Sequence, residues 1–116
     1  MLPACREAEG IVDNLRVQWV LTPSAPAVNG ASALEIVLHD AEGALVLDAD
    51  LDLEAHMTHP GMAPVIVPFI VAGEGRYLAD VAFTMSGDWV VFVSGRLHDG
   101  RVVRQRVADL VVRNVG

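Results

Sequence analysis

Lysine is absent from this chain. All the basic residues are arginine, eight against fifteen acidic residues, and the formal net charge is −7. That balance argues against nucleic acid as a partner, because holding phosphates needs a basic face. Cysteine occurs once, as Cys5, which excludes an intramolecular disulfide and any zinc site built on cysteines. No uncharged apolar run approaches the ~20 residues needed to span a bilayer as a helix. This holds although hydrophobic residues make up 53% of the chain and mean hydropathy is +0.41. A phosphate-cradling glycine loop and a dinucleotide fingerprint are also missing. Ser24, Ser32, Ser86 and Ser94 have no histidine–acid partner at a readable spacing, so nucleophilic catalysis has no support. The expectation is a protein that is not an enzyme.

With 116 residues the chain is expected to form one domain, large enough to bury a core without disulfides or metal as staples. Residues 1–13 carry mixed charge and no period, and read as an N-terminal tether ahead of a single domain over 14–116. Within that tether, Leu2-Pro3-Ala4-Cys5 resembles the end of a bacterial lipoprotein signal, in which a small residue precedes the lipidated cysteine. On that reading Cys5 is a membrane tether and the domain works outside the cytoplasm. The other reading is a stray cysteine in a frayed terminus.

From Asn14 the pattern is period two, the mark of half-buried strands. Leu15, Val17, Trp19 and Leu21 share one face of a first strand, and Leu34, Ile36 and Leu38 one face of a second, over 31–39. The third is the cleanest: Leu47, Ala49, Leu51, Leu53 and Ala55 alternate with Asp48, Asp50, Asp52, Glu54 and His56. The even alternation of acids reads as a solvated strand face, since it lacks the turn and glycine of a calcium loop. Val65–Val71 makes a fourth strand, confined by Pro64 and Pro68 to an edge or a broken pairing. Arg76–Thr84 makes a fifth, and Trp89–Val93 a sixth that is expected to be buried on both faces. After the Asp99-Gly100 turn, the last strand runs from Val102 to Val112, with a parity slip that predicts a bulge near Val107–Ala108. About seven short strands with no helix predict an all-β, immunoglobulin-like antiparallel β-sandwich. The Cys…Trp…Cys framework of antibody domains is absent, so that likeness is architectural.

The chemistry concentrates in Ala55-His56-Met57-Thr58-His59-Pro60-Gly61-Met62-Ala63-Pro64. Methionine normally fills cores, yet here two thioethers alternate with two imidazoles in a Pro-Gly turn. Soft thioether sulfur and borderline imidazole suit Cu(I) better than any hard cation. The rival reading has Met57 and Met62 plugging the end of the core while the histidines face water. If successive strands alternate in direction, the connections 22–30, 56–64 and 85–88 share one end of the sandwich, bringing Met85 to the His/Met turn. His39 and His98, each followed by aspartate, fall at the other rim as ordinary turn histidines. Trp89 and Tyr77 read as core.

Four stretches taken in order carry a family resemblance: Gly43–Met57, then His59-Pro60-Gly61-Met62, then Gly73-Glu74-Gly75-Arg76-Tyr77, then Met85-Ser86-Gly87-Asp88-Trp89. Over about 14–112 the chain resembles the YtkA-like/FixH-like family of extracytoplasmic β-sandwich domains, which are associated with copper handling and copper-oxidase maturation. The resemblance implies copper binding at Met57, His59 and Met62, with His56 and Met85 as further candidates. It also implies a copper-accepting membrane protein or oxidase as partner. The extra histidine at position 56 has no place in the family pattern. The alternative function is a non-catalytic interaction or structural module without a metal.

Overall fold

The computed structural model describes residues 11–12, 15–59 and 61–113. These form nine strands and no helix: β1 (Ile11–Val12), β2 (Arg16–Thr22), β3 (Ser32–His39), β4 (Asp50–Met57), β5 (Val65–Pro68), β6 (Ile70–Gly73), β7 (Arg76–Val81), β8 (Gly87–Arg96) and β9 (Val102–Val112). One sheet has the order β1-β9-β8-β4-β5 and the other β2-β3-β7-β6. Every pairing is antiparallel except the short β1–β9 contact. The two inner faces meet in one core, as period-two patterning requires of a sandwich. Leu34, Ile36, Leu38, Tyr77, Ala79 and Val81 come from one sheet, and Leu51, Leu53, Ala55, Trp89, Val91 and Val93 from the other.

The count exceeds the seven predicted strands by two, because β1 forms within the predicted tether and one predicted strand divides. Pro68 has no N–H to continue a ladder, so the pairing of β5 with β4 stops there. Phe69 then turns into the core, 8% exposed, and its N–H donates to the Leu51 carbonyl at 2.9 Å. Beyond it β6 pairs with β7 in the opposite sheet. The break is a change of sheet and not a reversal, so chain direction carries straight through it.

Other expectations shift for local reasons. Asp48 has φ +56°, which interrupts the extended backbone, so β4 starts at Asp50 and Leu47 is left 45% exposed outside the core. The loop is pinned instead by Tyr77, whose hydroxyl donates to the Val46 carbonyl at 2.7 Å and accepts from the Ala49 N–H at 3.2 Å. Trp19 is on the core-facing side of β2, but β2 is an edge strand and leaves the residue 39% exposed. The sixth predicted strand extends to Gly87–Arg96 and is fully buried on one face, not both. Trp89, Val91 and Val93 enter the core, while Val90 and Phe92 are half-buried on the outer face, which no second layer covers among the described residues. The predicted bulge is present: Val91 pairs with Ala108 and Phe92 with Arg106, so Val107 is the extra residue. Ile11 and Val12, read as tether, pair with Val102 and Val103. Cys5 and the remainder of 1–10 lie outside the described residues.

Candidate metal centre

β4 delivers the His/Met segment. Its ladder with β8 runs from Asp50 opposite Arg96 to Met57 opposite Trp89, and the Thr58 N–H extends it by donating to the Asp88 carbonyl at 3.1 Å. Strand alternation then sends Met57 inward and His56 outward. Met57 is half-buried against the core, while His59 in the following turn is exposed and Met62 is 39% exposed. Gly61 supplies the left-handed residue that closes the turn, φ +83°.

The connection from β7 to β8 comes to the same end. Phe83 is buried edge-on against Trp89, with ring centroids 5.3 Å apart. The Trp89 indole N–H donates to the Met85 carbonyl at 2.9 Å, which fixes the backbone carrying Met85 while the residue stays 45% exposed. Gly87 lies under the Met57 methyl: a Cβ there would stand 2.9 Å from Met57 Cε. The 22–30 connection joins this end through the Asn29 N–H, which donates to the Phe83 carbonyl at 2.8 Å. His39, paired with Arg16 and bridged to Leu45, is at the opposite rim. So is His98, which shares a groove of about 310 Å³ with Asp40, Leu45 and Leu97. A groove of similar volume lies at the His/Met end, between Thr58, Trp89 and Leu110.

His56 has a separate environment on the outer face of the sheet. Its Nε2 is 3.0 Å from Glu54 Oε1, and its ring meets Phe92 edge-on at 5.7 Å. The Arg104 guanidinium is 4.2 Å above the Phe92 ring and donates to the same Glu54 oxygen at 3.3 Å. A hydrogen bond from Ser94 holds the Glu54 carboxyl below the usual carboxylate range; partial burial opposes this, and His56 and Arg104 reinforce it. This five-residue cluster was not anticipated from sequence. Glu54 and His56 are two apart on one strand, but Phe92, Ser94 and Arg104 reach them only through pairing across β4, β8 and β9.

Among the described residues, no group of three or more histidine, cysteine, aspartate or glutamate side chains is placed to hold a metal ion. A centre at the His/Met end therefore depends on thioethers. Met57, His59, Met62 and Met85 all belong to that end, whereas His56 faces away from Met57.

The family described as YtkA-like matches residues 11–94. The chain belongs to the YtkA-like family. No relative was detected among curated proteins. Among solved structures this YtkA-like domain is similar to the Lin-41 filamin domain, with TM-score 0.62 and 14% identity, covering 89% of this chain and 95% of that one. It is also similar to part of MtrC from Shewanella baltica, with TM-score 0.50 and 14% identity, covering 88% of this chain and 22% of that one. At such identity the likeness establishes the immunoglobulin-like fold and nothing about activity.

Proposed function

We propose that this YtkA-like domain is an extracytoplasmic copper-binding protein that carries Cu(I) as cargo and hands it to a copper-accepting membrane protein or oxidase. The observation that carries the reading is the placement of Met57, His59, Met62 and Met85 at one end of the sandwich, with Met62 and Met85 39% and 45% exposed. Methionine left in solvent forgoes the burial that normally accounts for it. Three thioethers and one imidazole make a soft, neutral donor set suited to Cu(I). Their position on turns supported by a rigid sandwich leaves the ion open to ligand exchange. His56 would have to leave Glu54 to join them.

On this reading the chain is not an enzyme, takes no nucleic acid, and is held at a membrane surface through lipidated Cys5. Competition against a Cu(I) chelator tests it. Wild type should take up one equivalent per chain, and a Met57→Ala/His59→Ala/Met62→Ala variant should not. Equal competition by the two proteins rejects the copper assignment. The half-buried packing of Met57 against the core favours the second reading, a metal-free interaction or structural module, and that result would support it.

A further inference from the structure

The flanks of the two sheets are protected unequally. β1 is two residues long; β5 is four residues, preceded by Pro64 and ending in Pro68; β6 is four residues with an irregularity between Val71 and Gly73. Beyond Val103 the flank of β9 carries the Val107 bulge together with Arg104, Arg106 and Asp109. Short length, proline, bulges and charge are the devices that keep a sheet edge from recruiting another strand. β2 lacks them. It is an edge of seven residues, Arg16–Thr22, without proline or glycine, in unbroken register with β3, and its one charge is at its first position. Trp19 and Val20 are 39% and 61% exposed.

We infer that β2 is a self-association edge, pairing antiparallel with β2 of a second copy about a two-fold axis through Trp19 and joining two four-stranded sheets into one of eight. An open edge presents backbone N–H and C=O groups, so its complement is another extended strand. The β2 sequence fits its own reverse. With Trp19 opposite Trp19, the core-side pairs are Val17 with Leu21 and the outer pairs are Gln18 with Val20 and Arg16 with Thr22. Apolar residues meet apolar residues on the side that continues the core, and no like charges oppose each other, which is the pattern that stabilises cross-strand pairs. In a chain of net charge −7, copies repel one another over most approaches, and β2 is a segment with no acid. Antiparallel pairing sends the two His/Met ends to opposite poles, so association closes neither and stands apart from the copper reading. A seven-residue edge buries less than the roughly 1,200 Å² of a stable complex, which makes this a dimer that dissociates on dilution.

Sedimentation velocity on the full chain, from about 10 µM to about 1 mM, covers the range of such weak complexes. Wild type should shift from monomer to dimer, and iodide quenching of Trp19 should fall in parallel, with Trp89, 1% exposed, as constant background. Gln18→Lys/Val20→Lys opposes two pairs of like charges on the outer face and should weaken association roughly tenfold or more. Gln18→Lys/Val20→Glu turns the same pairs into attractions and should restore it, with thermal melts confirming that both variants fold. A wild-type chain that stays monomeric overturns the proposal. So does a Lys/Lys variant that dimerises as wild type does, which would put the contact elsewhere. A chain that dimerises only after residues 1–10 are removed would make that segment the occupant of the edge and overturn it equally.

Discussion

Met57 packs directly over Gly87 at the His/Met end: a Cβ on residue 87 would stand 2.9 Å from the Met57 methyl. Gly87 also has φ +132°, a conformation that side-chain-bearing residues rarely adopt. One position therefore serves both the start of β8 and the approach of the His/Met strand to the Met85 turn.

Gly87→Ala should destabilise the domain by about 1–3 kcal/mol, because the backbone strain remains even if the flexible Met57 end moves aside. Chemical denaturation of the variant and of Gly87→Ala/Met57→Ala measures this. Full recovery in the double variant would show that the methyl contact, and not the backbone, sets the cost.

Replacing Met62 or Met85 by leucine keeps volume and polarity close to the original and removes only sulfur. Each variant should melt within about 0.5 kcal/mol of wild type, since exposed substitutions seldom cost more. Each should lose Cu(I) affinity in chelator competition. Uptake should also weaken in acid, because imidazole ligates metal only as the neutral base. Variants that compete as well as wild type would remove those sulfurs from the site.

The apoprotein should fold without copper. Its core is continuous and includes Trp89, Tyr77 and Phe83, each 1% exposed, so thermal melts with and without a chelator should both be cooperative. Leu53, fully buried on β4, is the better place to disturb folding: Leu53→Ala should cost about 2–5 kcal/mol. A chelator that abolished the transition would show metal to be part of the fold.

Glu54 links stability to pH with a definite sign. Its folded pKa is lowered from 4.5 by Ser94, His56 and Arg104. The carboxylate therefore stabilises the folded state above that unfolded value, and the contribution is lost as pH falls through the folded one. Glu54→Gln should lower stability by about 1 kcal/mol at neutral pH, with the difference from wild type vanishing in strong acid. Parallel denaturation curves at pH 7 and in acid would show it, and a difference unchanged by pH would place the effect in packing.

Period-two patterning determined the fold class, because one buried face per strand is enough to forbid a helix and to demand a second sheet. It also placed the Val107 bulge, since a parity slip in Arg104–Val112 leaves one residue without a partner. The end of the sandwich that holds Met57, His59, Met62 and Met85 was equally legible: each connection reverses the chain, and the change of sheet at Phe69 adds a strand without adding a reversal. Alternation along β4 gave the opposite orientations of His56 and Met57. What sequence could not supply was which strands lie side by side. Pairing β4 with β8, and β8 with β9, assembles Glu54, His56, Phe92, Ser94 and Arg104 from residues up to fifty positions apart. Edge position likewise exposes Trp19, whose pattern alone marks it as core. Local periodicity fixes which face a side chain takes, whereas its neighbours and its final burial depend on long-range pairing, and only the folded sheets decide that.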